Sequence, residues 1–195
     1  MIIRKYVHSD EQAWLRCRVV SFLDCSYWND VKTSKEKYSK PCISLVAEES
    51  NNIVGLIDIE IDSDDLLYKD KGKGAIIWHM AVLPEYRRSG VANHLWEYAK
   101  TELIQNGVRY CELWTQDDIA ANSFYHTVGF ALDESQTWIR CYVHGENCRE
   151  LLRQAPIGKI YGPEELIFDA PLSRKKELVE MCYRINEVRL YSCTL

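Results

Sequence analysis

The sequence predicts an α+β domain in which strand-like and helix-like stretches interleave. Three observations carry this expectation. Cys42 to Glu48 and Ile53 to Asp62 flank Ser50-Asn51-Asn52, a polar break of the kind that closes an antiparallel hairpin. Ala75 to Leu83 is a nearly continuous apolar run, as expected of a strand buried on both faces. After it, Val91, Leu95, Ala99 and Leu103 recur at four-residue spacing as one helix face, and a further strand-like run, Val108 to Thr115, follows. With 195 residues, 47% of them hydrophobic and 27% charged, the chain is long enough for one domain with a substantial core.

Taken in order, Ile2 to Val7 reads as a first strand. Ser9 followed by Gln12 has capping-box form, and Ala13, Leu15, Val19, Phe22 and Leu23 supply an apolar helical face. Cys25 to Asp30 breaks that pattern, and Thr33 to Ser39 has the length of a second short helix before Pro41. Within the hairpin, Ile57, Ile59 and Ile61 alternate with Asp58, Glu60 and Asp62, so the acidic row is expected on a solvated sheet face, with a wall of the substrate cleft as the alternative. Ser63 to Gly74 is a polar loop. The helix that starts at Gly90 is expected to stop at Asn106-Gly107. Asp117 and Asp118 are placed to cap a helix through Val128, ended by Gly129 before Phe130 re-enters the core. Beyond Phe130 the expectations are a strand over Gln136 to Val143, a short helix over Glu146 to Gln154 ended by Pro156, a strand over Glu165 to Phe168, a helix from Ser173 through Cys182, and an extended Val188 to Thr194. Residues 1–145 are read as the core and residues 146–195 as an elaboration of the same domain.

Met80 to Asn93 is the stretch where chemistry first becomes legible. A strand-like run passes through a short polar turn into a helix, and the first N–H groups of a helix have no intrahelical partner. Together with the macrodipole they attract an anion. Gly90 lets a phosphate approach the backbone, Ala92 keeps the next approach nearly bare, and Arg87 and Arg88 add positive charge. A nucleotide P-loop would need Lys-Ser/Thr after the second glycine, and a dinucleotide fingerprint would need G-x-G-x-x-G; neither is present.

What remains is R-x-x-G-x-A over Arg87, Gly90 and Ala92, preceded by Val82, Leu83 and Pro84. This resembles the acetyl-CoA-binding motif of the GNAT acetyltransferase superfamily. A second stretch, Asp118 to Phe130, is similar to that family's N-x-x-A-x-x-x-Y-x-x-x-G-F segment, with Ala121, Tyr125, Gly129 and Phe130 in register and Asp118 in place of the leading Asn. Asp caps a helix equally well but lacks the amide's donors, which sets any contact of Asp118 with cofactor apart from the family pattern.

The resemblance implies a three-layer fold with a mixed, mostly antiparallel central sheet flanked by helices, and a splayed strand pair forming the cofactor cleft. It implies acetyl-CoA as donor, pantetheine along the backbone of Met80, Ala81 and Val82, and pyrophosphate on the turn Arg88, Ser89, Gly90, Val91, Ala92 and Asn93. The reaction implied is direct transfer of acetyl to the primary amine of a small molecule or peptide. Backbone N–H at Met80 or Val82 would polarise the carbonyl. Tyr125 matches the tyrosine that protonates the leaving thiolate. His79, the one titratable side chain inside the apolar strand, is the candidate base, with Glu112, Asp58, Glu60 or a water chain as alternatives. His94 and His126 are expected at the surface, and Cys111 has nothing near it in sequence to activate a thiolate. A non-catalytic acyl-CoA-binding sensor is the alternative function.

Net charge of -5 argues against nonspecific nucleic-acid binding and suits a cationic acceptor. No apolar run approaches membrane-spanning length, and Met1 to Val7 is too quickly polar for a signal peptide, so a cytoplasmic location is expected. The eight cysteines are scattered without a C-x-x-C pair and are read as thiols, with no metal site. Oligomeric state is left open, a homodimer included. The tryptophans at 78, 114 and 138, with Tyr27-Trp28, suggest an aromatic-lined acceptor pocket, with core packing as the alternative.

Overall fold

A strand pair that runs parallel and then parts sits at the centre of the molecule, whose computed structural model describes residues 1–153 and 164–195. In chain order the elements are β1 (Ile2–Lys5), α1 (Glu11–Phe22), β2 (Cys42–Glu49), β3 (Asn52–Ile61), β4 (Gly74–Val82), α2 (Val91–Gln105) and β5 (Tyr110–Gln116). Then come α3 (Ile119–Thr127), β6 (Ala131–His144), α4 (Gly145–Leu152), β7 (Glu165–Pro171), α5 (Lys175–Leu178) and β8 (Arg184–Thr194). The strands form one eight-stranded sheet in the order β1-β2-β3-β4-β5-β8-β6-β7. Every described pairing is antiparallel except β4 with β5, which is the mixed, mostly antiparallel sheet expected. Among the described residues no helix is long and apolar enough to cross a membrane.

The β2–β3 hairpin closes through Ser50 and Asn51, whose positive φ values of 50° and 62° give the twist a two-residue turn needs. Gly55 on β3 lets α2 sit close: a Cβ there would lie 2.7 Å from Val91 Cγ1 and 3.1 Å from Leu95 Cδ1. Val91, Leu95, Trp96, Ala99 and Leu103 are all buried, so the expected α2 face is the observed one. Each buried aliphatic side chain of this kind contributes on the order of 1.5–3 kcal/mol. α1 lies on the other face, since its Arg18 and Trp14 meet His79, whose cross-strand partner Asp58 points opposite to Gly55 by strand alternation.

Several expectations are corrected. The buried face of α1 is Trp14, Cys17, Arg18 and Ser21, whereas Ala13 and Leu23 are exposed. The sheet beneath α1 presents His79, so the helix turns its arginine inward. Ser9 does not cap α1; a 3-10 turn over His8–Asp10 precedes it, and the Asp10 carboxylate accepts from the Val7 N–H at 2.9 Å and from Arg4. Thr33 to Ser39 is not helical. Its side chains bond downward to the sheet, Lys35 to Asp58 and Ser39 to Glu60, and these polar partners displace the local helical preference.

Of the acidic row only Asp62 is exposed: Asp58 is 0% and Glu60 4% exposed, covered by residues 31–40 and by Trp78, whose Nε1–H donates to Glu60. β6 is longer than expected, with a register shift between Asp133 and Thr137. The expected helix from Ser173 shrinks to a 3-10 turn at Leu172–Arg174 and the single turn of α5. Pro156, the expected stop after α4, lies outside the described residues.

Candidate active site

β4 and β5 pair from Gly74↔Tyr110 to Ile77↔Leu113 and then separate. A cavity of about 340 Å³ opens in the gap, between Ile77 to Val82 on one side and Trp114 and Thr115 on the other, with Tyr125 of α3 and Arg18 of α1 also on its wall. The Leu83 N–H donates to Val54 O on β3 at 2.9 Å. Strand alternation then turns the Ala81 N–H toward β3 and the N–H groups of Met80 and Val82 toward the gap, where no strand pairs with them.

At the end of β4 the chain makes a 3-10 turn over Pro84–Tyr86, takes positive φ at Arg88 (60°) and Gly90 (87°), and starts α2 at Val91. The left-handed cap at Gly90 aims the first amides of α2 outward; the His94 N–H is the one that returns to Gly90 O, at 3.0 Å. Arg87 does not add free positive charge to this turn. Its guanidinium forks onto Asp24 at 2.8 and 2.9 Å and donates to Ser21 O at 2.7 Å, tying the end of α1 to the turn and holding the Asp24 carboxyl below its ordinary range. Arg88 is exposed and has no ion pair among the described residues. Ser89 Oγ donates to Tyr86 O, and Asn93 is exposed beside Ala92 at the helix start.

Asp118 caps α3 as expected, its carboxylate accepting the Ala121 N–H at 2.8 Å. This sets the rotation of a helix whose one buried residue is Tyr125. The Tyr125 ring packs against Phe130 and Tyr191, with centroids 5.7 and 6.3 Å away. Its hydroxyl makes no hydrogen bond among the described residues, and burial raises its pKa, so it keeps its proton at neutral pH. Tyr27 fills part of the gap. Its Oη accepts the Gln116 N–H at 2.6 Å and lies 3.0 Å from Thr115 Oγ1, which satisfies an amide near the parted end of β5.

His79 is 8% exposed, and both ring nitrogens have partners. Arg18 Nε–H donates to Nδ1 at 3.4 Å, and Nε2 meets the Glu36 carboxylate. Arginine has only donors, so Nδ1 must accept and Nε2 carries the hydrogen that Glu36 receives. The His79 contact holds the Glu36 carboxyl down at about 2. His79 and Arg18 both line the cavity, whereas Glu36, the partner of Nε2, is not among its lining residues.

Of the alternative bases, Glu112 is fully buried and accepts the N–H groups of Leu67 and Tyr68, so it anchors the loop before β4 rather than facing the cleft. Asp58 and Glu60 lie under residues 31–40. Burial pushes the Cys111 thiol well up. His94 and His126 are exposed. Trp78 and Trp114 line the cavity with Tyr27, while Trp28 and Trp138 stand outside it, 47% and 42% exposed. Sequence reasoning missed Arg18, Lys35 and Glu36. Their partners lie 61, 23 and 43 residues away, so no local spacing signals them.

A family model described as Acetyltransferase (GNAT) family matches residues 7–130. Among curated proteins the chain finds no match. A GNAT-family acetyltransferase from Staphylococcus aureus Mu50 superposes with a TM-score of 0.58 at 16% identity, covering 100% of this chain and 98% of that one. The PaiA N-acetyltransferase of Thermoplasma acidophilum, solved in complex with coenzyme A, gives 0.56 at 19% identity over 68% of this chain and 91% of its own. A GNAT-family acetyltransferase from Elizabethkingia anophelis with acetyl-CoA bound gives 0.54 at 11% identity, over 100% and 97%.

Proposed function

Because the chain belongs to the GNAT acetyltransferase family, we propose that it moves the acetyl group of acetyl-CoA directly to the primary amine of a small molecule or peptide. The observation that carries this reading is the parted strand pair: the N–H groups of Met80 and Val82 face an open cavity onto which Tyr125 also opens. An amide-bearing arm laid along β4 pairs with those N–H groups as an added strand would. The amides from Ser89 to Asn93, with Arg88, take the pyrophosphate, and Arg87 holds that turn in place through Asp24.

In the step itself the amine nitrogen attacks the thioester carbon, and the carbonyl oxygen gains charge beside the Met80 or Val82 N–H. The ammonium proton goes to Nδ1 of His79, whose tautomer Glu36 fixes. The C–S bond breaks as the tetrahedral centre collapses, and the thiolate takes its proton from the Tyr125 hydroxyl, which burial has kept protonated. Thiol release from acetyl-CoA across a panel of primary amines tests the proposal; turnover on at least one amine is expected. A non-catalytic acyl-CoA-binding module is the second reading, favoured by the engagement of both His79 nitrogens. Tight coenzyme binding with no thiol release on any amine establishes that second reading in place of the first.

A further inference from the structure

Residues 31–40 have no regular secondary structure, yet they carry two adjacent side chains that point to different places. The Lys35 side chain is 8% exposed, and its ammonium lies 2.7 Å from Asp58 Oδ2, on a carboxylate with no exposed surface. Three aromatic rings surround it: Trp14 at 5.0 Å, Tyr6 at 5.1 Å and Tyr38 at 5.1 Å from their centroids. Such a cage attracts a desolvated cation through the ring quadrupoles as well as the carboxylate. The Tyr38 hydroxyl also donates to Asp58, and the Lys35 backbone N–H donates to Glu11 of α1 at 3.0 Å. Glu36, the next residue, reaches His79 instead and takes a second contact from Lys32 Nζ.

A segment without helix or strand hydrogen bonds has its course set by its anchors, because each unanchored residue regains conformational freedom. Among the described residues, Lys35 is the one side chain of residues 31–40 that is both charged and caged in the core. We propose that Lys35 is a positioning residue for the transfer reaction: its ammonium, seated among Tyr6, Trp14, Tyr38 and Asp58, pins residues 31–40 and so holds the Glu36 carboxylate on His79 Nε2, leaving Nδ1 as the basic nitrogen of the cavity. The inference rests on the reading of His79 as base.

The test uses the full chain with acetyl-CoA and the most active amine of the panel. Lys35→Met is made together with Asp58→Asn, so that no buried carboxylate is left unpaired. The expected result is a tenfold or greater fall in kcat, a KM for acetyl-CoA within twofold of wild type, and loss of the downfield, slowly exchanging His79 Nε2 proton resonance. Glu36→Ala, which leaves His79 Nε2–H no acceptor on residue 36, gives the same signature, and adding it to the double variant lowers kcat no further, because both changes break one connection. Lys35→Arg, which keeps a cation in the cage, retains most of kcat. Wild-type kcat or an unchanged Nε2 proton in the double variant overturns the proposal, as does multiplication of the two losses. Should the double variant not fold, Glu36→Ala at wild-type kcat, or Lys35→Arg as inactive as Glu36→Ala, overturns it. His79→Gln separates the levels. An inactive His79→Gln beside a fully active double variant removes only the role of Lys35; a fully active His79→Gln removes the base assignment and this inference with it.

Discussion

Tyr125 combines a protonated hydroxyl, unpartnered among the described residues, with a place on the cavity wall, so its expected contribution is to chemistry more than to folding. Tyr125→Phe keeps the ring contacts with Phe130 and Tyr191. It should lower kcat roughly 100-fold, at the lower end of general-acid effects, while coenzyme A affinity by calorimetry stays within a few fold. Unchanged turnover with intact binding would remove Tyr125 from the mechanism. Carboxylates give a second expectation at this scale. Arg4 holds Asp10 down, Arg87 holds Asp24 down, and His79 holds Glu36 at about 2 against an ordinary value of 4.5. Each folded-state value lies below its unfolded value, so the stability these groups contribute is fully present above about pH 5. It is lost as pH falls through the unfolded and then the folded values. Urea midpoints should therefore decline from pH 5 toward pH 2; a flat profile there would show that these pairs contribute nothing net.

Two helix starts position the site, and each rests on one residue. Gly90 occupies the left-handed region at φ 87°, where a Cβ would also come within 3.3 Å of His94 Cε1. Gly90→Ala should cost about 1–2 kcal/mol of stability and weaken coenzyme A binding through the displaced amides, both read from chemical denaturation and calorimetry. Asp118→Ala removes the α3 cap and should cost about 1 kcal/mol, whereas Asp118→Asn should be close to neutral, because an amide oxygen also accepts the Ala121 N–H. The α2 and α3 starts were legible in sequence, since caps, glycines and four-residue apolar spacing are local signals. The buried face of α1 was not. Its inward residues include Arg18, and only the distant partners His79 and Asp30 make burying a guanidinium favourable.

At the scale of the whole molecule, the last strand is internal to the sheet. β8 pairs with β5 from Tyr110↔Thr194 to Gln116↔Val188 and with β6 on its other side. It also brings Tyr191, whose hydroxyl donates to Asn122 of α3 at 2.8 Å, against Tyr125. Truncation after His144 would leave β5 unpaired along the edge away from β4, so the shortened chain should lack cooperative unfolding and dispersed amide resonances. A folded, coenzyme-binding fragment would show instead that residues 145–195 are dispensable to the core.

The sequence by itself determined the donor half of this protein. The strand into Val82, the Gly90 turn and the Asp118–Phe130 helix are contiguous segments, and a backbone that must bend and expose amides can be read from residues a few positions apart. Only the tertiary structure decided what surrounds His79. The acidic row on β3 looked like a wet face because alternation reports which residues share a face but not what covers it. Residues 31–40 cover its Asp58 and Glu60, and they bring Lys35 to Asp58 and Glu36 to His79 across separations of 23 and 43 residues. Buried charges find their partners through the fold, so the spacing of those partners along the chain carries no local signal.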